Sequence, residues 1–372
     1  MPPKKPVKKQ QKSLLSMKIG GGGEAVMKST DVLLFTGELA DLLEAGMTLG
    51  QALGALANQG EEDSPQRAIC KDLTERIVNG EAFSRAVAHH PKTFPPLYSS
   101  MLKAGEASGA MIDVLRRLAD HYERHDAMVS KIKGAMTYPV VVLCIGVAAV
   151  VFALTWIIPK FQAIFDSMGA TLPLPTRILL GMSDGLIKYG WFIAAGIVAL
   201  WLWLRRWKNT DAGRAKIDAW KLKAPLVKGI VAAGAYSSLA YTMRTLLVNG
   251  VNVLNALKIC EETCGNAVIA KALADARRRV TDGTSISGPL AASGVFPKMM
   301  TDMLAVGEKA GNMAGSLEHI GVRYQKDMDR NITAFTNALE PILIVMIAGI
   351  VGFIAISILL AVFRVTSAIG GG

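Results

Sequence analysis

The sequence contains little cysteine and little charge. Its 372 residues include only 4 cysteines, too few for a disulfide framework. Charged residues make up 19%, below the roughly 25% of an ordinary soluble domain. Hydrophobic residues make up 51% and the mean hydropathy is +0.34. These values exclude a disordered chain and argue against a purely soluble one. No sustained alternation of polar and apolar residues occurs either, so we predict no β-sheet.

The excess positive charge is confined to two short stretches. The net charge is +11. Residues 1–28 contain seven lysines and one glutamate, and residues 205–228 contain eight lysines and arginines against two aspartates. A nucleic-acid groove would spread basic residues over a folded surface with interleaved aromatics, so we expect no nucleic-acid partner. Charge in a tail and beside an apolar segment instead favours an orientation signal in a membrane protein.

Three apolar segments predict membrane spans. Residues 140–158 and 341–363 are uncharged and reach the roughly 20 residues that cross a bilayer. Residues 189–204 are shorter, but their tryptophans suit the interfacial belt of a membrane helix. A buried soluble helix is the alternative interpretation of this middle segment.

The positive-inside rule predicts the topology. A basic flexible tail (residues 1–28) and a basic juxtamembrane segment (residues 205–228) are expected in the cytoplasm. Residues 159–188 contain few basic side chains and are expected to form a periplasmic loop. Residues 364–372 then form a short periplasmic tail. We expect no signal peptide, because no apolar run follows the basic N-terminus.

The chain contains an internal duplication. Residues 94–161 align without gaps on residues 296–363, at a constant offset of 202 residues. The identities include Phe94/Phe296, Met101/Met303, Gly105/Gly307, Glu106/Glu308, Gly109/Gly311, Tyr122/Tyr324 and Pro139/Pro341. Each repeat ends in a span, and the middle span returns the chain to the cytoplasm. We therefore predict two homologous cytoplasmic domains, residues 29–139 and 229–340.

Within each domain, apolar residues recur at helical spacing and glycines end the runs. In the first domain Phe35 and Leu39 mark one such face, and Gly46 and Gly80 are predicted stops. The predicted fold is an all-α membrane protein with two homologous six-helix cytoplasmic bundle domains and three transmembrane helices.

Motifs for enzymatic chemistry are weak. Lys28-Ser29 follows a glycine run, but a phosphate-binding loop needs Gly directly before the Lys, where Met27 stands. His121 and His125 have metal-ligand spacing, yet the second repeat lacks them and no third ligand is evident, so we interpret them as a solvated helix face. No coherent nucleophile and base pair is identifiable. The sequence predicts no catalytic residue, no metal site and no cofactor.

The motif Gly-Glu-x-x-Gly occurs once in each repeat. It consists of Gly105, Glu106 and Gly109 in the first repeat and of Gly307, Glu308 and Gly311 in the second. The glycines are predicted to break a helix and to allow close backbone approach. Each glutamate could cap the helix that follows it, where the helix dipole favours a carboxylate. Alternatively, Glu106 and Glu308 form an exposed contact for a moving partner. The two roles are compatible, and both stay open.

Three sets of residues carry a family resemblance. They are the paired FP-x5-ML-x2-GE-x2-G motifs, the Tyr-Pro and Glu-Pro junctions before the first and last spans, and the segment IPKFQAIFDSMGATLPLPT at residues 158–176. This set resembles the type II secretion F family, the inner-membrane platform proteins of type II secretion systems and type IV pilus machines. The resemblance covers residues 30–363. The last span departs from the family in ending LLAVFRV, and the compact length favours a type IVb-like pilus subclass.

The resemblance implies a protein that is not an enzyme. Such proteins oligomerise in the bacterial inner membrane beside other assembly proteins and bind a cytoplasmic hexameric secretion ATPase. They transmit its motion to pilin or pseudopilin subunits drawn from the bilayer. The candidate partner-binding residues are then the six residues of the two motifs together with Arg205 and Arg206. The basic segment that begins at Arg205 would contact anionic lipid headgroups or an acidic ATPase face, or act as an orientation signal alone.

An oligomeric membrane transporter or channel is the competing class. Such proteins place ionisable residues at membrane depth, where they mark ion and substrate paths. The three predicted spans contain no Asp, Glu, Lys, Arg or His apart from flanking positions. The sequence therefore favours the platform interpretation, and leaves open whether the system extends a pilus or secretes a protein.

Overall fold

The computed structural model describes residues 25–59, 64–160, 173–208, 210–225, 227–281 and 285–369. Within these ranges the regular secondary structure is helical throughout, so the predicted all-α class is confirmed. The predicted basic tail falls mostly on residues 1–24 and the predicted end of the C-terminal tail on residues 370–372, which lie outside the described residues.

The first unit has the six predicted helices. They are α1 (Ser29–Glu44), α2 (Leu49–Gln59), α3 (Pro65–Val78), α4 (Phe83–Ala88), α5 (Pro96–Ser108) and α6 (Met111–Phe152). Local signals set their ends. Ser64 caps α3 by accepting a hydrogen bond at 3.2 Å from the backbone N–H of Arg67, and Pro65 occupies the first helical position. Gly46 and Gly80 take φ values of +88° and +86° after α1 and α3, which confirms both predicted stops.

Two helices lead from the first unit to the second. They are α7 (Leu174–Lys208) and α8 (Asp211–Lys223). The structure differs here from the predicted loop at residues 159–188, because α7 already begins at Leu174; residues 161–172 lie outside the described residues. The early turns of α7 are helical because they have partners. The Thr176 hydroxyl donates to the Ser357 carbonyl at 2.8 Å.

The second unit repeats the six-helix plan. Its helices are α9 (Lys228–Val248), α10 (Val253–Thr263), α11 (Ala267–Thr281), α12 (Ser287–Ala292), α13 (Lys298–Lys309) and α14 (Met313–Ile369). The short fourth helix, the glycine-ended fifth helix and the long sixth helix recur in the same order as in the first unit. The predicted duplication therefore extends to the arrangement of helices.

Equivalent aromatic side chains occupy the two cores. In the first unit the ring of Phe94 lies 4.7 Å from that of Tyr98, and Tyr98 lies 6.1 Å from Tyr122. In the second unit Tyr236 lies 5.9 Å from Phe296 and 5.3 Å from Tyr324. Phe94/Phe296 and Tyr122/Tyr324 are equivalent positions of the repeat. Buried aromatic pairs of this geometry contribute beyond their buried area. The repeat preserves the outer two rings of each group, whereas the central tyrosine comes from the fifth helix in the first unit and from the first helix in the second.

Three helices are long and apolar enough to cross a membrane. They are the helix of residues 111–160, α7, and residues 313–363 of α14, and each contains one predicted span. α6 passes through Pro139, and a π-helical turn at Ala153–Ile157 follows it. α14 likewise passes through Pro341. Each unit therefore continues into its span along one helix, as the repeat predicts.

Candidate functional site

The Glu106 carboxylate holds the start of the short helix α4. Its Oε1 accepts a hydrogen bond at 3.1 Å from the backbone N–H of Ser84, and its Oε2 accepts one from the Ser84 hydroxyl. Ser84 is the second residue of α4. The first helical N–H groups have no partner within the helix, and the dipole there favours negative charge. Glu106 is half-buried, and both of its carboxylate oxygens accept hydrogen bonds in this contact.

The Glu308 carboxylate makes the same contact in the second unit. Its Oε1 accepts from the backbone N–H of Ile286 at 2.7 Å, and its Oε2 accepts from the Ser287 hydroxyl at 2.7 Å and the Ser287 N–H at 3.3 Å. These residues begin α12, the equivalent of α4. The serine has moved by one position between the repeats, yet the carboxylate still binds one backbone N–H and one hydroxyl. This contact is part of the duplicated design.

The prediction that these glutamates cap a helix is therefore confirmed, but the predicted helix is wrong. Glu106 and Glu308 cap the preceding short helices α4 and α12, and not the following helices α6 and α14 that the sequence offered as candidates. The reason is the direction of helical side chains, which tilt toward the N-terminus of their own helix. A glutamate near the end of α5 or α13 therefore points back, away from the helix that follows.

The glycines of the two motifs have separate functions in the turn. Gly109 and Gly311 both take φ +68° at the ends of α5 and α13, a conformation that glycine adopts without steric cost. Gly105 and Gly307 are buried where the last helix packs closely. A Cβ on Gly105 would lie 3.0 Å from Cγ2 of Val114, and one on Gly307 would lie 2.6 Å from Cβ of the equivalent Ser316. Close backbone approach thus explains these glycines.

The exposed part of each turn surrounds the half-buried glutamate. In the first unit Lys103, Ala107, Ser108 and Gly109 are exposed. In the second unit Val306, Lys309, Ala310 and Gly311 are exposed, and Val306 is 66% exposed. The two turns belong to different units, and each is bound to the short fourth helix of its own unit. Each turn therefore offers a small surface whose shape the glutamate fixes.

Arg205 and Arg206 lie on a different element, the last turn of α7. Both are exposed, and the Arg205 guanidinium lies 5.3 Å from the centre of the Trp201 ring. Trp203 and Trp207 stack at 6.0 Å on the same helix. Stacked aromatics with adjacent cations are typical of the membrane–water boundary. The structure therefore separates these arginines from the two Gly-Glu-x-x-Gly turns.

The two units contact each other through their long sixth helices. The Lys131 ammonium on α6 lies 2.6 Å from the Asp329 carboxylate on α14, and the Tyr138 hydroxyl lies 3.5 Å from a carboxylate oxygen of Glu340. Arg117 of α6 also donates to the Val248 carbonyl, at 3.3 Å. These contacts between the units were not predicted from the sequence. The signal was present in the Tyr-Pro and Glu-Pro junctions, whose tyrosine and glutamate are equivalent residues.

A cavity of about 710 Å³ lies between the units. The first unit lines it with residues that include Met27, Thr93, His121 and Met128, and α8 and the second unit line it with residues that include Asp218, Leu239, Cys260 and Cys264. Both His121 and His125 line this cavity. The predicted solvated helix face is correct for His125, which is exposed, but wrong for His121, which is half-buried. Burial, with smaller contributions from His125 and Arg124, lowers the pKa of His121 to about 4.

The cavity residues are not arranged for metal or thiol chemistry. Among the residues that the structure describes, no group of three His, Cys, Asp or Glu side chains is placed to hold a metal ion. Burial raises the pKa of the Cys260 thiol, and the pKa of Cys264 is raised for the same principal reason. Protonated thiols are poor nucleophiles and poor metal ligands. Both cysteines therefore act here as small packing residues.

The chain matches known proteins over nearly its whole length. The family model for type II secretion system (T2SS), protein F matches residues 35–159 and 239–361, one segment in each repeat. The type IV pilus assembly protein PilC of Myxococcus xanthus is 32% identical over 364 residues, covering 98% of this chain and 87% of that protein. PilC of Thermus thermophilus is 35% identical over 336 residues, covering 90% and 82%. The type II secretion system protein F of Aeromonas hydrophila is 33% identical over 336 residues, covering 89% and 85%.

Proposed function

Because the chain belongs to the type II secretion system protein F family, we propose that it is a non-enzymatic platform protein of the bacterial inner membrane. It couples a cytoplasmic secretion ATPase to the extraction and assembly of pilin or pseudopilin subunits. The setting is type IV pilus biogenesis or type II secretion, since similar proteins bear names from both systems.

The continuity of α6 and α14 is the observation that carries this proposal. Each helix begins in a helical unit and continues past an internal proline into a span, as Pro139 and Pro341 mark. A rigid helix transmits displacement along its axis. The pair Lys131 and Asp329 and the pair Tyr138 and Glu340 join the two helices near the point where they enter the spans. A force on either unit would therefore move both spans together.

The proposed topology places both units in the cytoplasm. The N-terminus is cytoplasmic and the C-terminus periplasmic, in agreement with the basic residues at 1–28 and 205–228. In this topology the ATPase contacts the helical units from the cytoplasm, and the pilin or pseudopilin subunits contact the spans laterally within the bilayer. The other inner-membrane assembly proteins of the machine have access to the same lateral surfaces.

The apolar part of α7 supports self-association. Residues 191–208 of α7 are exposed along their whole length, although the other two spans contact each other. Ala195 and Ala199 lie four residues apart on this part of the helix. Small residues at this spacing let membrane helices approach closely. We therefore propose α7 as a contact between copies of the chain in the membrane.

The two Gly-Glu-x-x-Gly turns are the proposed contacts for the ATPase. The ATPase contacts the exposed residues of each turn. Glu106 and Glu308 hold the turns against α4 and α12, and the glycines permit the backbone conformation of the turns. Arg205 and Arg206 form a second proposed contact, at the cytoplasmic end of α7. Both exposed turns carry a lysine, Lys103 in the first and Lys309 in the second, which suits an acidic partner surface.

Purification from native membranes tests the proposed function. The tagged full-length protein is extracted in mild detergent, and the proteins that accompany it are identified by mass spectrometry. We expect a secretion-type ATPase and pilin-like subunits. A homo-oligomer that lacks both partners and conducts ions when placed in liposomes would overturn the proposal in favour of a channel.

Matched variants separate contact from capping at the turns. Lys103→Glu with Lys309→Glu reverses exposed charges without touching the caps, whereas Ser84→Ala with Ser287→Ala weakens the caps without changing charge. If the turns bind the ATPase, the lysine variant loses the ATPase at normal membrane level and normal thermal stability. If the turns are structural only, the lysine variant keeps its ATPase. The serine variant reports how far assembly depends on stability alone.

A further inference from the structure

Helix α8 begins directly against the end of the membrane helix α7. The Thr210 hydroxyl donates to the Trp207 carbonyl at 2.6 Å and accepts from the Gly213 N–H at 3.2 Å. A Cβ on Gly213 would lie 2.9 Å from the carbonyl carbon of Trp207, so the backbones touch here. α8 therefore begins at Asp211, close in space to the last turn of α7, which ends at Lys208.

One face of α8 is fixed to the second unit by Asp218. This side chain is buried, with 4% of the residue exposed. Its Oδ2 accepts from the Ala267 N–H at 3.1 Å, at the start of α11, and its Oδ1 accepts from the Lys221 ammonium at 3.1 Å. Its backbone carbonyl accepts from the Asn266 side-chain amide at 3.4 Å. A buried carboxylate bonded at a helix N-terminus is a firm attachment, so α8 moves with the second unit.

The opposite face of α8 carries an exposed tryptophan between two exposed lysines. Lys216, Trp220 and Lys223 recur at intervals of four and three residues, which places them on one side of a helix of 3.6 residues per turn. The same period puts this side roughly opposite Asp218. Trp220 is 66% exposed and both lysines are exposed. We call these three residues the outer face of α8.

An exposed tryptophan beside lysines suits a bilayer surface better than water. The indole ring is apolar in its body and polar at its N–H, and lysine keeps its charge in the headgroup layer while its stem contacts apolar surface. Anionic headgroups attract each nearby lysine by about 1 kcal/mol. Trp201, Trp203 and Trp207 lie just before α8 on α7 and are also exposed. Trp220 continues this band of aromatics beyond the end of the span.

We propose that the outer face of α8 lies on the cytoplasmic surface of the bilayer and binds anionic phospholipid headgroups. Through Asp218 it then fixes the height of the second unit relative to the membrane. This inference goes beyond the coupling function and needs neither an ATPase nor a pilin. An acidic protein surface is the competing occupant, and lipid retention distinguishes the two.

Fluorescence quenching by brominated lipid tests the position of Trp220. Full-length protein and the variant Trp220→Phe are placed in nanodiscs of phosphatidylcholine with phosphatidylglycerol, with bromine close to the headgroup of the phosphatidylcholine. The difference between the two samples isolates Trp220 from the other five tryptophans. We expect this difference signal to be quenched. A difference signal with no quenching would overturn the proposal.

Lipid selectivity tests the lysines. Native mass spectrometry measures how much phosphatidylglycerol, relative to phosphatidylcholine, stays on the purified protein. Lys216→Gln with Lys223→Gln should lower this ratio by about fivefold for each lysine in contact with a headgroup. The control, Lys71→Gln with Lys298→Gln, removes the same charge from one exposed position in each unit and should leave the ratio unchanged.

Two outcomes would contradict the lipid assignment. Equal loss of phosphatidylglycerol in both double variants would mean that net charge alone attracts the lipid. Unchanged lipid retention, together with loss of an accompanying protein from the Lys216→Gln, Lys223→Gln variant in native membranes, would assign the outer face to a protein partner. Both measurements use folded full-length protein, so a failure here leaves the coupling proposal to its own test.

Discussion

The Tyr138 hydroxyl lies 3.5 Å from a carboxylate oxygen of Glu340, and the two residues occupy equivalent positions of the internal repeat. Each stands directly before the proline inside its long helix. The two repeats therefore meet at matching points, where both helices enter their spans. Further along the two spans, a Cβ on Gly146 would lie 2.8 Å from Cδ1 of Ile347, so α6 and α14 remain in close contact there. The pair of helices forms a common stem for the two units.

The ion pair between Lys131 and Asp329 should contribute to this stem. Lys131→Glu places two negative groups together, and Asp329→Lys places two positive groups together. The exchanged double variant restores attraction. Because both side chains are partly exposed, we expect each single change to cost about 0.5–1 kcal/mol and the double variant to recover most of it. Thermal unfolding in detergent, followed by tryptophan fluorescence, measures the effect. Additive losses in the double variant would show that the two residues do not interact.

The buried pair Thr36 and Tyr98 predicts an asymmetric response to substitution. The Thr36 hydroxyl donates to the Val32 carbonyl at 2.6 Å, so Tyr98 donates to Thr36, at 3.0 Å. Thr36→Val leaves a buried phenol without a partner and should cost about 1–3 kcal/mol. Tyr98→Phe leaves the Thr36 bond intact and should cost less. The second unit has apolar Ala240 and Met300 at the equivalent positions.

A double-mutant cycle checks this pair. The variant with both Thr36→Val and Tyr98→Phe should be more stable than Thr36→Val alone, because no polar group is then orphaned. The free energies of unfolding of the four proteins give the coupling. A double variant less stable than either single one would contradict the hydrogen-bond assignment.

The buried glycines of the two turns predict unequal tolerance to alanine. Gly307→Ala puts Cβ 2.6 Å from Cβ of Ser316 and should cost about 1–3 kcal/mol, and Ser316→Gly should recover part of that loss. Gly105→Ala meets Val114 at 3.0 Å and should cost less. The control is Gly54→Ala in α2, where nothing lies within 4 Å. It should gain up to about 1 kcal/mol from helix propensity. Thermal midpoints rank the three, and a Gly105→Ala loss exceeding that of Gly307→Ala would refute the ranking.

Much of the fold follows from local patterns in the sequence. The helical period of residues such as Phe35 and Leu39 is a property of neighbouring turns, and Gly46 and Gly80 stop helices through their own backbone conformation. Because the second repeat resembles the first, the same helices are predicted for the second unit. These features depend on few long-range contacts, so the sequence predicts them correctly.

Features that depend on packing between distant elements could not be predicted in the same way. Arg177, Asp184 and Lys188 lower the hydropathy of the first turns of α7, so the hydropathy does not reveal that the helix starts at Leu174. Side-chain hydroxyl groups stabilise this start by hydrogen bonds to neighbouring helices, as the Thr176 hydroxyl does. The helix that Glu106 caps depends on how α4 packs beside α5. Neither fact leaves a periodic signal in the chain.

The environment of His121 predicts that stability falls in acid. His121 faces the cavity between the units, beside Arg124 and His125, and burial lowers its pKa to about 4. The large cavity is also lined by Asp218, Lys221 and Glu262, and Tyr241 and Gln325 line a second, small pocket on the other side of His121. In the unfolded chain the pKa of histidine is about 6.5. Between pH 6.5 and 4 the unfolded state therefore binds more protons than the folded state, and the free energy of unfolding decreases as the pH falls.

The decrease in the free energy of unfolding should be on the order of 3 kcal/mol, since each unit of pKa difference corresponds to about 1.36 kcal/mol. Above pH 6.5 the contribution of His121 should be constant, because the ring is neutral in both states. His121→Gln removes this titration, so its unfolding midpoint should depend less on pH between 6.5 and 4. The matched control, His319→Gln, changes an exposed histidine of the second unit and should keep the pH dependence of the unchanged protein. Thermal unfolding in detergent at half-unit pH steps compares the three proteins. If His121→Gln and His319→Gln give the same curve, the acid sensitivity lies elsewhere and His121 is protonated without cost in the folded protein.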